Sequence, residues 1–115
     1  FSYDRGLRTM MGVGPSQMAA EIAGLGVVAI GANCGTTLEN MEEIVRELRG
    51  ATGELPIWAK PNAGVPEGTP ARYPVTADEM GLFAPRLVAA GATIVGGCCG
   101  SSPDHVRAIV DEVKS

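Results

Sequence analysis

The sequence is poor in aromatic residues, which make up 4% of its 115 positions, and it has a single tryptophan and a single histidine. A core must therefore be assembled from Ala, Val, Ile, Leu and Met. No apolar run approaches the roughly 20 residues of a membrane span. There is no basic excess: 9 Lys+Arg stand against 13 Asp+Glu, for a net charge of −4. That balance disfavours both nucleic-acid binding through phosphates and docking on anionic membranes. The first residues, Phe1-Ser2-Tyr3-Asp4, carry neither an initiator methionine nor a signal-peptide pattern. The chain is expected to begin inside a longer protein. It has no Cys-X-X-Cys motif, and its three cysteines are an odd number without a secretory signal. A disulfide framework is disfavoured, and reduced thiols in the cytoplasm are expected.

What is abundant is glycine and proline, 16 and 8 residues. They punctuate a recurring pattern of short apolar run, turn and amphipathic stretch. Val27 to Ile30 reads as a buried strand. Thr36 and Glu39 have capping-box spacing ahead of a helix whose apolar face is Leu38, Met41, Ile44, Val45 and Leu48, closed by Gly50 and Gly53. Ile57 to Lys60 reads as a second strand stopped by Pro61, followed by a proline- and glycine-rich loop from Asn62 to Pro74. Thr76, with Glu79 at the box position, starts a helix with Leu82, Phe83, Leu87 and Val88 on its apolar face. Thr93 to Val95 is the third strand, and Ser102-Pro103 starts the last helix, with Val106, Ile109, Val110 and Val113 as its stripe. Phe1 to Asp4 reads as the end of an earlier strand, and Pro15 to Leu25 as the helix after it. Three and a half βα units result. Strands without alternation predict a parallel sheet covered on both faces.

In α/β folds ligands sit at the carboxyl ends of strands, and all three cysteines fall there. Cys34 lies in Gly31-Ala32-Asn33-Cys34-Gly35, and Cys98 and Cys99 lie in Gly96-Gly97-Cys98-Cys99-Gly100. Adjacent cysteines in a strand point to opposite faces, so a shared site requires the backbone to leave strand geometry among those glycines. Three thiols on one rim would make a tetrahedral metal site with one open position, and zinc suits it. Two other readings stand beside this one. The cysteines are small buried hydrophobes, or Cys98 and Cys99 form a redox-active vicinal pair. Asn33 is a candidate to orient a ligand or a substrate, against a turn-forming role. Asn62 is a candidate rim residue, against an Asx turn. Asp4 and Arg5 read as solvated loop, His105 as a cap or packing residue, the five methionines as packing, and Glu42, Glu43, Arg46, Glu47 and Arg49 as a solvated helix face.

Gly-Ala-Asn-Cys-Gly at 31–35, Pro-Asn-Ala-Gly-Val-Pro at 61–66 and Gly-Gly-Cys-Cys-Gly-Ser-Ser-Pro-Asp-His-Val at 96–106 resemble the homocysteine S-methyltransferase family. The Pro-Asn-Ala-Gly stretch is most similar to its cobalamin-dependent, methionine-forming members. The resemblance runs over essentially the whole chain, departing slightly at Ser101-Ser102, where the family usually shows threonine. It implies an α/β fold, the C-terminal half of a (β/α)8 barrel, with the N-terminal half absent from residues 1–115, since such barrels take ~250 residues. It implies that Cys34, Cys98 and Cys99 hold one zinc ion, with the homocysteine thiolate as fourth ligand; Asn33 and Asn62, by their positions at the strand ends, are the candidate substrate-binding residues. The implied methyl donors are methylcobalamin or another corrinoid, betaine or S-methylmethionine, and the product is methionine. A non-catalytic zinc-binding fragment is the alternative.

Overall fold

The computed structural model describes residues 1–35 and 37–114. Four helices and three strands alternate: α1 (Pro15–Ile22), β1 (Ile30–Cys34), α2 (Leu38–Thr52), β2 (Ile57–Pro61), α3 (Ala77–Ala90), β3 (Ile94–Val95) and α4 (Pro103–Val113). A short 3-10 turn, Ala23–Leu25, extends α1. The strands form one parallel sheet in the order β1-β2-β3. The Phe1 segment runs beside β1 with parallel-ladder bonds, since Asn33 N–H donates to Phe1 O at 3.0 Å and the Phe1 amine donates to Gly31 O at 3.3 Å.

The first strand begins later than its apolar run suggests. Ile30 pairs with Ile57, and the first ladder bond runs from Ile30 N–H to Pro56 O at 3.0 Å. The partner strand, which starts after Pro56, thus fixes where β1 starts. Val28 lies outside the ladder and is 87% exposed. The shift carries Asn33 and Cys34 into the strand itself.

Helix α2 is capped by Thr37, whose hydroxyl accepts from Asn40 N–H at 3.0 Å; the expected cap at Thr36 lies outside the described residues. Gly50 sits inside the helix, and Gly53 ends it with φ +66°. Leu38, Met41, Ile44, Val45 and Leu48 are all buried, as their spacing predicts. The Thr76–Glu79 capping box of α3 is formed in both directions. On α3, however, Met80, Phe83, Ala84 and Leu87 make the buried face, while Leu82 and Val88 are exposed. On α4 only Ile109 is buried, and Val106, Val110 and Val113 face outward. Met18, Met41 and Met80 are core residues, whereas Met11 is 88% exposed.

Two layers result, a sheet and one row of helices, in a body 38 × 35 × 19 Å. Ile57, Ala59 and Pro61 of β2 are buried, while Trp58, which alternates with them, is 45% exposed. One face of the sheet is therefore covered, not both as predicted from the lack of alternation. The architecture is α/β with a parallel three-stranded sheet, consistent with a piece of a TIM-type domain.

Where α3 crosses α4 the backbones nearly touch. A Cβ on Gly81 would lie 2.9 Å from both Ala108 Cβ and Ala108 O. Alanine favours helix by about 1 kcal/mol over glycine, but overpacking of this kind typically costs about 1–3 kcal/mol, and the obstruction is backbone that cannot rotate away. Gly81→Ala is expected to lower stability by about 1 kcal/mol in denaturant titration.

Glu42 departs from the solvated-face expectation. Its carboxylate is covered and accepts from Arg86 Nε at 3.1 Å and Nη2 at 2.8 Å, joining α2 to α3. That pairing with Arg86 holds the Glu42 carboxyl below its ordinary value. A depressed carboxyl stabilises the fold above its unfolded pKa, and that contribution disappears as pH falls through the folded one. The stability difference between the unaltered protein and Glu42→Gln is thus expected to be constant above about pH 5 and to vanish in acid; urea titrations across that range measure it.

Candidate metal centre

The three cysteines meet at the carboxyl ends of β1, β2 and β3. Cys34 is the last residue of β1 and pairs with Pro61 of β2. Alternation along the strand would send its side chain to the helix-covered face with Ile30 and Ala32. The backbone instead adopts φ +58° at Cys34, a left-handed conformation rare for a residue with a side chain and typical of functional turns.

On the other side, bonding to β2 continues past the end of β3. Gly96 N–H donates to Ala59 O at 2.9 Å and Cys98 N–H to Pro61 O at 2.8 Å. Pro61 thus stands between Cys34 and Cys98. At Cys99 the pattern changes, and its N–H donates to the Asn62 side-chain oxygen at 3.1 Å. Ser101 N–H closes a turn on Cys98 O at 3.1 Å. This is the departure from strand geometry that two adjacent cysteines need in order to serve one site.

The sulfurs of Cys34 and Cys98 are 2.9 Å apart and those of Cys34 and Cys99 are 3.8 Å apart, with all three within 4.8 Å of one another. All three are free thiols. Sulfurs on a tetrahedral zinc at Zn–S of about 2.3 Å are about 3.8 Å apart; the donor type, the number and the Cys34–Cys99 separation fit one such ion, while Cys34 and Cys98, in thiol–thiol contact at 2.9 Å, would have to spread to share it. Among the described residues this is the one group of three cysteine, histidine or acidic side chains able to hold a metal.

Electrostatics within the group are asymmetric. The hydrogen bond to Cys98, followed by burial and by Cys99, pushes the Cys34 thiol up to about 11. Burial opposes ionisation of Cys98, but hydrogen bonds from the Cys34 thiol, the Cys99 backbone and the Asn33 amide outweigh it and hold Cys98 below the usual thiol value. Without a metal, Cys98 is the thiol that ionises more readily and Cys34 the one that holds its proton longer.

Both candidate asparagines are at the site. Asn33 donates from Nδ2 to Cys34 Sγ at 3.5 Å. Asn62 is buried, 6% exposed, and joins the two cysteine loops, accepting from Cys99 N–H and donating to Gly35 O at 3.5 Å. His105 stays clear of the sulfurs. Its Nδ1 meets Ser102 N–H at 3.2 Å and its Nε2 lies 2.9 Å from Val75 O, a cap that also ties α4 to the 62–74 loop. One neighbour was missed in the sequence. Tyr73, the single aromatic of that loop, packs over Gly100, next to Cys99, where a Cβ would overlap its ring. Among the described residues no helix is long and apolar enough to cross a membrane.

Known proteins are similar to this chain along most of its length. The profile of the homocysteine S-methyltransferase family matches residues 1–113. Methionine synthase of Mycobacterium leprae is 38% identical over 97 residues, 82% of this chain. Methionine synthase of Mycobacterium tuberculosis is 38% identical over 94 residues, 79% of this chain. The chain spans 8% of the length of each of these relatives. A match over nearly every residue, with the three thiols gathered at one sheet rim, leaves a single assignment: this chain belongs to the homocysteine S-methyltransferase family.

Proposed function

We propose that residues 1–115 are the carboxyl-terminal portion of a homocysteine-binding (β/α)8 barrel, and that the protein transfers a methyl group to homocysteine to give methionine. The observation that carries this reading is the meeting of Cys34 with Cys98 and Cys99, far apart in sequence, with all three sulfurs within 4.8 Å of one another. Cys34, Cys98 and Cys99 are the metal ligands, and their three thiolates would leave a divalent ion with a formal charge of −1. Zinc held by these residues would supply a fourth position at which a substrate thiol could lose its proton near neutral pH.

The chain's own residues explain why that sulfur would stay reactive. Three anionic ligands make the centre electron-rich, whereas neutral histidines would leave it positive and draw charge from the substrate. Asn33 steadies Cys34 from the sheet side, and Asn62 fixes the spacing of the two loops. The substrate thiolate takes the methyl in line: an S–C bond forms, the donor–methyl bond breaks with its electrons staying on the donor, and a neutral thioether departs. The donor is a corrinoid such as methylcobalamin, in keeping with the methionine synthases it resembles; betaine and S-methylmethionine are the family's other donors. A cytoplasmic setting keeps the thiols reduced.

The test is zinc titration of the reduced protein with and without homocysteine. One zinc per chain, held more tightly when homocysteine is added, is the expected result. Zinc binding that ignores homocysteine supports a structural metal site instead, and no binding rules out both.

A further inference from the structure

We propose that Lys60 is a substrate-binding residue that takes the carboxylate of the thiol amino acid, a role that deepens the homocysteine-binding reading above and rests on it.

Lys60 is the one charged residue in the three strands. Side chains alternate along β2, so Ile57, Ala59 and Pro61 turn to the helices while Trp58 and Lys60 turn to the uncovered face. Gly31 and Asn33 of β1 lie beside them in register. On the other side is Gly96, where a Cβ would sit 3.8 Å from Lys60 Cγ and 3.7 Å from Trp58 Nε1. Glycine on both flanks leaves space around the two longer side chains. A cavity of about 370 Å³ has Gly31, Asn33, Trp58 and Lys60 in its wall, a size that suits a small molecule.

The same residues join this cavity to the cysteine centre. Asn33 Nδ2 donates to Cys34 Sγ at 3.5 Å. Lys60 stands one residue, about 3.3 Å along the strand, before Pro61, which pairs with Cys34 and accepts from Cys98 N–H. A sulfur at the cysteine rim and a group beside Lys60 therefore belong to successive layers of one face.

The ammonium has no anion. Its Nζ lies over the Trp58 ring, 5.1 Å from the centroid, and among the described residues no carboxylate pairs with it. A ring face attracts the charge but leaves the N–H donors free for an acceptor. In the proposed barrel this face is the interior, where an unpaired cation is strongly disfavoured. Homocysteine carries the complementary charge. Two methylene groups and the α-carbon separate its sulfur from its carboxylate, a span short enough to bridge the rim and the layer below it. The flexible four-carbon stem of lysine lets the ammonium meet it.

Lys60→Met and Lys60→Arg test this in the full protein, loaded with cobalt(II) in place of zinc. Thiol binding is read from the d–d and thiolate-to-metal charge-transfer bands. The probes are homocysteine and its decarboxylated form, an aminopropanethiol that keeps the thiol and the amine. For Lys60→Met, homocysteine is expected to bind about tenfold more weakly or worse, as befits the loss of a charged hydrogen bond. Affinity for the aminopropanethiol, and for the metal without thiol, should be unchanged. Lys60→Arg, which keeps the charge, should restore most of the homocysteine affinity. Equal weakening of both thiols, or loss of the metal itself, overturns the carboxylate contact. So does unchanged homocysteine affinity in Lys60→Met, which would mean that Lys60 is paired with a carboxylate of the protein. An unaltered protein that holds cobalt but whose bands ignore homocysteine overturns the homocysteine-binding reading and this proposal with it.

Discussion

Cys98→Ser is expected to abolish metal binding while leaving the fold in place. Cys98 stands at the middle of the group. Its backbone N–H is fixed to Pro61 O, its sulfur is 2.9 Å from that of Cys34, and it is the thiol whose ionised form the surroundings favour. A serine hydroxyl stays protonated at neutral pH and is a hard, poor ligand for zinc. Loss of a ligand should exceed the loss caused by removing a supporting hydrogen bond, so affinity should fall by more than about 100-fold. The side chain sits half-exposed at the sheet rim, outside the cluster of Leu48, Ile57, Met80 and Leu87 that forms the core. Circular dichroism and the thermal midpoint of the metal-free protein should therefore be unchanged. Retained zinc in the variant would mean that Cys34 and Cys99 bind it without Cys98.

Asn62→Ala is expected to combine a stability loss with a binding loss. The amide is buried and satisfies two backbone groups, Cys99 N–H and Gly35 O. Truncation leaves both, which are partly buried, without their amide partner, so a loss of about 1–2 kcal/mol is expected in denaturant titration. Because the two groups belong to the two cysteine loops, the spacing of the sulfurs loosens too, and zinc affinity should fall by about tenfold. A purely structural asparagine would show the first effect without the second.

Much of this centre is legible in the sequence because its signals are local. Glycines flank all three cysteines, and the Thr76–Glu79 box is written in four residues. The start of β1 is not legible there. The apolar run Val27 to Ile30 draws attention, but the strand is set by bonding to Pro56 and Ile57, well away in sequence. The outward face of Val106, Val110 and Val113 is likewise hidden, because helical spacing gives an apolar stripe but not what covers it. Asn62 looks like a turn residue beside glycine, and only the folded loops reveal its two backbone partners. Tyr73 gives no periodic signal at all. Its packing depends on the bare backbone at Gly100, which the fold brings beneath the ring.

The most direct measurement is X-ray absorption at the zinc edge of the metal-loaded protein, before and after homocysteine. The expected result is three sulfur neighbours at about 2.3 Å with one lighter ligand, changing to four sulfurs when homocysteine is added. Fewer than three sulfurs without substrate, or a shell that does not change with it, would contradict a cysteine-held zinc that activates the substrate thiol.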